Sequence, residues 1–219
     1  MQETGTVTPL RARLGTRLGQ LDGAYRASME AAIAHLRRSG MATRAKLAGD
    51  RAPDFALPDP DGAIVSLAER LQAGPVVLSF FRGEWCSFCR IEMDALIAAL
   101  PDLAAAGASL VMVSPQGSSE TLLARSRGVP GLTVLKDPMN GVGLQYGLIF
   151  RMPDILREAL LALGVDLSHV YGTDAWLLPI PATYLIRRDG TIALAHTDPD
   201  FTRRLDPQDI LAALRAPTG

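Results

Sequence analysis

The chain has 219 residues, of which 48% are hydrophobic and 21% charged, and its formal net charge at pH 7 is −1. A chain of this length can bury a substantial core without disulfides or metals, and the length indicates one domain with room for an additional segment. The nearly balanced charge gives no indication of nucleic acid or of an anionic surface as a partner.

The first residues of the chain carry no targeting signal that we recognise. Residues 1–15 are polar and lack the apolar core of a secretory signal, and no apolar run reaches membrane-spanning length. We therefore expect a cytoplasmic protein without membrane association. A structural disulfide does not persist in that reducing compartment, so a close cysteine pair there is expected to be catalytic, redox-sensing or metal-binding.

The first predicted element is one long amphipathic helix that ends near Gly40. Its apolar stripe has spacings of three and four and consists of Leu10, Leu14, Leu18, Leu21, Tyr25, Met29, Ile33 and Leu36. Glycines at 15, 19 and 23 interrupt the helix, and each costs about 1 kcal/mol relative to alanine. We interpret residues 1–48 as an N-terminal helical extension, frayed at its start, that lies on the domain or on a partner subunit.

The main domain is predicted over residues 49–216. The motif DPDG indicates the turn of a small hairpin, and Ser66 with Glu69 forms a capping box that opens a short helix. Residues 75–81, PVVLSFF, form a continuous apolar run that is typical of a strand buried in the middle of a sheet.

Strand-like and helix-like segments then alternate, which is typical of βαβ units in an α/β protein. Strands are predicted over 108–114 and 132–137, helices over 118–128 and 153–163, and a long surface excursion over 164–179. ATYLIR and TIALAH flank RDG, which predicts an antiparallel hairpin, and a final helix follows with Asp206 as its N-cap.

The only two cysteines, Cys86 and Cys89, form a C-x-x-C motif directly after the predicted buried strand and at the start of a helix. This placement puts both sulfurs within bonding reach and directs backbone N–H groups and the positive end of the helix dipole toward the first one. It predicts the lower pKa for Cys86. Arg82 and Arg90 are candidates to stabilise the thiolate further.

Inert burial and metal binding are the alternatives to a redox role. Free cysteine is among the most buried residue types, so burial alone would account for the pair. A structural zinc site needs four ligands, whereas one C-x-x-C supplies two, and the three histidines are scattered along the chain. We therefore expect no metal and no other cofactor.

Pro181 stands immediately before a predicted central strand, where proline is poorly tolerated. We predict a cis peptide between Ile180 and Pro181, which would turn backbone toward the sulfurs and place the proline close to them. The alternative is an ordinary trans proline at the start of the strand.

These segments resemble the thioredoxin superfamily, and within it the peroxiredoxins of the alkyl hydroperoxide reductase and thiol-specific antioxidant (AhpC/TSA) family. The resemblance rests on GDRAPDFALPDPDGAIVSL, PVVLSFFRGEWCSFCRIEM and PATYLIRRDGTIALAH, and FFRGEWCSFC is similar to peroxiredoxin-like proteins with a thioredoxin-type C-x-x-C. It implies a thioredoxin-like α/β fold, with a central mixed sheet flanked by helices. Residues 1–48 fall outside that common fold.

The chain departs from the peroxiredoxin motif P-x-x-x-T-x-x-C, which places the peroxidatic cysteine at Cys89. Cys86 then stands at the threonine position and Arg82 at the proline position, and Pro181 replaces the family arginine before the late strand. The chain does retain the features of thioredoxin chemistry. These are a nucleophilic thiolate, a resolving cysteine three residues later, an aromatic neighbour in Trp85 and a candidate cis-proline in Pro181.

The resemblance implies an antioxidant, thiol-dependent oxidoreductase that cycles a Cys86–Cys89 disulfide. In a thioredoxin scheme Cys86 attacks a disulfide, whereas in a peroxidase scheme Cys89 is oxidised to a sulfenic acid and Cys86 condenses with it. The substrate is thus a hydroperoxide or a disulfide, and the reductant is a thioredoxin-like protein or a low-molecular-weight thiol.

A second class of function is a non-catalytic redox sensor, whose disulfide controls a partner protein or the docking of the N-terminal helix. An enzyme consumes many equivalents of thiol, whereas a sensor switches once. Relatives in this family often form homodimers, and the apolar stripe of the extension can serve that contact or cover the chain's own sheet.

Overall fold

The computed structural model describes residues 8–116 and 127–216. Its strands are β1 (Ala56–Pro58), β2 (Ile64–Ser66), β3 (Val76–Phe80), β4 (Ser109–Ser114), β5 (Leu132–Lys136), β6 (Ile149–Arg151), β7 (Leu177–Pro179), β8 (Ala182–Ile186) and β9 (Ile192–Thr197). Its helices are α1 (Leu10–Gly19), α2 (Gly23–Arg38), α3 (Leu67–Ala73), α4 (Ser87–Ala98), α5 (Leu100–Ala105), α6 (Gly141–Gln145), α7 (Asp154–Ala162), α8 (Leu167–Tyr171) and α9 (Pro207–Arg215). Short 3₁₀ turns occupy Met41–Arg44 and Pro138–Asn140.

A five-stranded mixed sheet in the order β5-β4-β3-β8-β9 forms the centre of the fold. The strands β3, β4 and β5 are parallel to one another, whereas β8 pairs antiparallel with both β3 and β9. Every residue of β3 is buried, as its continuous apolar run predicts. The α/β class and the mixed sheet flanked by helices are therefore confirmed.

Several local predictions are also confirmed. The DPDG turn joins β1 and β2 as an antiparallel hairpin, and β8 and β9 form the late hairpin. The Ser66 hydroxyl accepts a hydrogen bond from the Glu69 N–H at 3.0 Å and begins α3. The Asp206 carboxylate caps α9 in the same way.

The N-terminal segment corrects the prediction of one long helix, because it forms two helices, α1 and α2. Asp22 ends the continuity, since its carboxylate accepts hydrogen bonds from the N–H groups of Ala24 (2.9 Å) and Tyr25 (3.2 Å) and so caps a new helix. Helix α1 packs on α4 and α2 packs on α7. The stripe thus covers its own chain, with buried Leu10, Leu14, Met29, Ile33 and Leu36.

The prediction of a surface excursion over 164–179 is wrong. The segment forms α8 and β7, and β7 pairs antiparallel with β6. Trp176 and Leu178 are buried. The elements are too short to show a hydrophobic period, which is why the pattern failed to indicate them. The helix predicted over 118–128 lies mostly outside the described residues.

Apolar side chains form one core cluster on each side of the central sheet. The cluster that contains both cysteines also receives side chains from α1, α2, α4, α7 and α9. The N-terminal helices therefore lie on the same side of the sheet as the C-x-x-C motif.

Within the described part of the chain, no helix is both long and apolar enough to cross a membrane.

Candidate active site

The cysteine pair follows the end of the central strand β3. After Phe80 the chain stays buried through Arg82 and then turns at Gly83, whose φ is +120°. A Cβ at this glycine would collide with the side-chain amide oxygen of Gln116, so both the backbone angle and the space favour glycine. The turn delivers Cys86 to the N-cap position of α4.

Cys86 lies at the helix N-terminus and Cys89 lies one turn inside. Both are buried, with exposures of 3% and 0%. The N-cap residue is adjacent to the unpaired N–H groups of the first turn, which carry the positive end of the helix dipole. The two sulfurs thus differ in electrostatic position, although only two residues separate them.

A buried arginine contacts the first sulfur. Nη2 of Arg82 donates to Sγ of Cys86 at 3.1 Å, and the residue is 3% exposed. The guanidinium carbon lies 4.2 Å from the ring centre of Phe201 and 5.1 Å from that of Trp85. No carboxylate of the described residues forms an ion pair with Arg82, so the cysteine sulfur is the anion available to it.

Two aromatic side chains hold the backbone at Arg82. The Tyr171 hydroxyl donates to the Arg82 carbonyl oxygen at 2.5 Å. The Trp85 indole N–H lies 2.9 Å from both that oxygen and the Tyr171 hydroxyl. These contacts position Arg82 from α8, which belongs to the segment that the sequence predicted to be a surface excursion.

A second buried arginine contacts the other sulfur. Nη2 of Arg204 lies 3.7 Å from Sγ of Cys89, and its Nη1 forms an ion pair with the Glu92 carboxylate. The side chains of Arg204 and Glu92 are 1% and 2% exposed. The Thr183 hydroxyl also donates to Glu92, at 3.3 Å. Arg204 therefore has a carboxylate partner, whereas the described part of the chain offers none to Arg82.

The pKa values of the two thiols move in opposite directions. Burial by itself raises the pKa of Cys86, but a hydrogen bond from the Cys89 thiol and the charges of Arg82 and Arg204 outweigh it, so the pKa lies well below its usual range. For Cys89, burial and the neighbouring Cys86 sulfur raise the pKa well above its usual range. Cys86 thus has the lower pKa of the two thiols, in the direction that the sequence predicts.

A pocket of about 160 Å³ leads to Cys86. Arg82, Trp85 and Arg90 line it, and Arg90 is exposed to solvent. The charges that act on the Cys86 sulfur are those of Arg82 and Arg204, and Arg90 is not among them. The structure thus brings Arg82 to the Cys86 sulfur and places Trp85 and Arg90 in the lining of the same pocket.

The predicted cis peptide before Pro181 is wrong, because the described residues contain no cis peptide bond. Pro181 is buried in the link between β7 and β8, and the next residue, Ala182, pairs with Phe80 at the end of β3. Because β8 begins only at Ala182, a trans proline at 181 removes no hydrogen bond from the sheet ladder. A role for Pro181 in catalysis stays a prediction.

Sequence reasoning missed Arg204, Glu92 and Tyr171. Glu92 carried a usable signal, because a carboxylate three residues after Cys89 lies on the same face of the helix and is flanked by apolar residues. Arg204 carried none, since it reaches Cys89 across 115 positions of sequence.

Among the residues that the structure describes, no group of three or more His, Cys, Asp or Glu could hold a metal ion.

A C-x-x-C motif at the start of a helix, directly after the central strand of a mixed sheet, defines a thioredoxin-fold thiol protein. The family comparison is more specific: residues 48–195 match the model of the AhpC/TSA family, and the chain belongs to that family. Two Mycobacterium tuberculosis proteins, from two strains and named as peroxiredoxins, are each 31% identical over 150 residues, which is 67% of this chain and 82% of theirs.

Solved structures show the same fold. The crystal structure of peroxidoxin BcpB from Mycobacterium tuberculosis is 24% identical, covers 79% of this chain and 99% of its own, and has a TM-score of 0.59. Peroxiredoxin Q from Xanthomonas campestris is 19% identical, covers 77% of this chain and 97% of its own, and has a TM-score of 0.54. The family and the site together make this chain a thiol-dependent oxidoreductase.

Proposed function

We propose that this enzyme is a peroxidase in which Cys86 attacks a hydroperoxide and Cys89 resolves the product to a disulfide. The observation that carries the proposal is the buried Arg82 guanidinium, 3.1 Å from the Cys86 sulfur and without a carboxylate partner among the described residues. A buried cation without a counter-ion is strongly unfavourable. The Cys86 thiolate supplies that counter-ion, so the site favours the nucleophilic form.

The proposed first step transfers one oxygen atom. The Cys86 thiolate attacks the terminal oxygen of ROOH, an S–O bond forms, the O–O bond breaks, and the alkoxide leaves as ROH after taking up a proton. Arg82 donates hydrogen bonds where negative charge develops on the peroxide oxygens. In this assignment Arg82 supplies the positive charge at the peroxide, where Pro181 stands in place of the family arginine.

The next steps return the enzyme to its starting state. The Cys89 thiol, which hydrogen-bonds to the Cys86 sulfur, attacks the sulfenic acid, a disulfide forms, and water leaves. Two equivalents of an external thiol then reduce the Cys86–Cys89 disulfide and are themselves oxidised to a disulfide. The raised pKa of Cys89 suits this order, because Cys89 remains a thiol while Cys86 reacts first.

The narrow access to Cys86 favours a small substrate over a protein disulfide. A pocket of about 160 Å³ has room for about five water molecules at about 30 Å³ each. Cys86 is 3% exposed, which leaves little surface for the in-line approach of a second protein. A hydroperoxide reaches such a sulfur more easily.

The remaining features of the proposal follow from the chemistry. The reductant is a thioredoxin-like protein or a low-molecular-weight thiol that opens the disulfide, and the cytoplasm is the location in which such reductants keep the pair cycling. Residues 1–48 act as an extension of a domain that spans 49–216. A homodimer would have to use a surface other than the apolar stripe, because the stripe is buried against α4 and α7.

Stopped-flow oxidation of the reduced protein tests the proposal. Hydrogen peroxide, an organic hydroperoxide and a small disulfide are compared, with intrinsic tryptophan fluorescence as the signal and mass spectrometry to show that two hydrogens are lost. We expect the hydroperoxides to react faster and an added thiol to sustain many turnovers. Faster reaction with the disulfide would indicate a thiol-disulfide reductase, and a single switch without turnover would indicate a redox sensor.

A further inference from the structure

The N-terminal helices form one wall of the pocket over Cys86. Arg17 of α1 and Tyr25 and Met29 of α2 line it. Nε of Arg17 donates to the hydroxyl of Ser87 at 2.9 Å, which holds α1 against the first turn of α4 beside Cys86. These three wall residues lie outside the segment 48–195 that matches the family. This wall is therefore a feature of this chain's own extension.

Two arginines stand where the inner pocket opens. Arg17 and Arg90 line both the 160 Å³ pocket and an adjoining, more open basin of about 570 Å³. Neither forms an ion pair with a carboxylate of the described residues. The acidic residue of the basin, Asp94, lies 3.7 Å from Arg13. Among the described residues, the mouth of the pocket thus carries two positive charges, neither of which is in an ion pair with a carboxylate.

Part of the pocket lining is apolar. Leu160 and Leu163, from the end of α7 and the residue after it, line the pocket together with Val165. Leu163 is 57% exposed, although it is a large hydrophobic residue. A pocket with an apolar wall, two cations at its mouth and a thiolate at its base matches a molecule with an apolar body and an anionic end.

We propose that the substrate is an organic hydroperoxide that carries a carboxylate, which Arg17 and Arg90 bind while the peroxide group reaches Cys86. The guanidinium groups bind carboxylates through paired hydrogen bonds, and their partial exposure makes the interaction sensitive to salt. This inference rests on the proposed function in taking the ligand to be a hydroperoxide. The N-terminal extension then sets substrate selection for a reaction performed by the family domain.

The test compares rate constants for the oxidation of reduced enzyme by a short carboxylate-bearing alkyl hydroperoxide and by its methyl ester. We expect the rate constant for the carboxylate divided by that for the ester to fall about threefold in Arg17→Gln and in Arg90→Gln, as for partly exposed charge pairs. In the double variant we expect this ratio to fall about tenfold. Arg17→Lys, which keeps the charge but not the Nε contact to Ser87, should retain most of the ratio. Arg26→Gln removes an arginine of α2 that pairs with Glu30 away from the pocket, and should leave the ratio unchanged.

A second measurement does not depend on peroxidase activity. Iodoacetate and iodoacetamide alkylate the Cys86 thiolate and differ in charge, so their rate ratio reports on the anionic preference of the pocket alone. We expect the rate with iodoacetate divided by the rate with iodoacetamide to fall in Arg17→Gln, in Arg90→Gln and in the double variant. If no hydroperoxide oxidises the enzyme, the proposed function fails while the ratio still tests the pocket. Ratios that do not respond to loss of Arg17 and Arg90 overturn the inference.

Discussion

The two cysteines each have a buried arginine, and the two pairs differ in how the arginine is neutralised. Arg82 donates to Cys86 and otherwise contacts aromatic rings, with no carboxylate partner among the described residues. Arg204 lies near Cys89 but is paired with Glu92. The positive charge of Arg82 is thus available to the Cys86 sulfur, whereas that of Arg204 is largely neutralised by the Glu92 carboxylate.

This difference explains how two sulfurs in one buried cluster acquire opposite chemistry. An unneutralised guanidinium and the helix N-terminus both favour the ionised form of Cys86. At Cys89 burial dominates, because the nearby cation already has a partner and a second negative charge would lie beside the first. The hydrogen bond from Cys89 and the charges of the arginines add to the effect of the motif's position at the helix start in lowering the pKa of Cys86.

The largest effects are expected from the cysteines themselves. Cys86→Ser should abolish oxidation by hydroperoxide, because it removes the thiolate. Cys89→Ser should permit one oxidation and then stop, leaving a Cys86 sulfenic acid that a dimedone-type reagent traps. Near-full multiple turnover in either variant would show that the two-cysteine cycle is wrong. Trapping of sulfenic acid on Cys89 in Cys86→Ser would return the peroxidatic role to Cys89.

Removing the carboxylate partner of Arg204 should make the Arg204–Cys89 pair resemble the Arg82–Cys86 pair, in which no carboxylate among the described residues neutralises the arginine. Glu92→Gln leaves a buried guanidinium without its counter-ion and should destabilise the fold by about 3 kcal/mol, measured by urea unfolding under reducing conditions. It should also lower the pKa of Cys89. Glu30→Gln, which breaks an exposed pair with Arg26, is the matched control and should change stability by less than about 0.5 kcal/mol. An equally small effect in Glu92→Gln would contradict the distinction drawn between the two arginines.

Removing Arg82 should raise the pKa of Cys86. Arg82→Met keeps an extended apolar side chain in the same space but removes the charge. We expect the pH profile of alkylation by iodoacetamide to move upward, with a loss of rate at fixed pH below the new pKa of about tenfold per unit. Arg26→Met, an exposed arginine far from the sulfurs, serves as the control. An unchanged profile would mean that the helix terminus alone ionises Cys86.

The smallest effect concerns the pH dependence of stability in the reduced protein. The folded pKa of Cys86 is lowered, so its ionisation stabilises the fold fully above the unfolded value of about 8.5, and this contribution is lost as the pH falls through the folded pKa. The stability of the wild type relative to Cys86→Ser should therefore rise with pH in that window, by at most about 1.4 kcal/mol per unit.

Cys89 should behave with the opposite sign. Its folded pKa is raised, so its contribution is present below the unfolded pKa and is lost as the pH rises toward the folded one. The stability of the wild type relative to Cys89→Ser should decrease above about pH 8.5. Unfolding curves across pH give both comparisons, and slopes of the same sign would refute the opposite assignment.

Local patterns predicted a large part of this fold. The buried run of β3, the hairpin of β8 and β9, the Ser66 and Asp206 caps and the position of Cys86 at a helix start are all properties of neighbouring residues, and all are present. Predictions failed where the local pattern had competing outcomes. The apolar stripe could not reveal that Asp22 ends one helix and caps the next. The helix and strand within residues 164–179 are each too short to show a hydrophobic period.

The sequence by itself determined the chemistry that is available: two cysteines in C-x-x-C spacing, placed after a buried strand at a helix N-terminus, with Arg82 and Trp85 close along the chain. The tertiary structure alone decided what surrounds the two sulfurs beyond Arg82, because Arg204, Tyr171 and Arg17 arrive from distant segments. Electrostatic interactions depend on distance and burial in space rather than on separation along the chain. That is why neighbours along the chain such as Arg82 could be predicted from the sequence, whereas Arg204, Tyr171 and Arg17 could not.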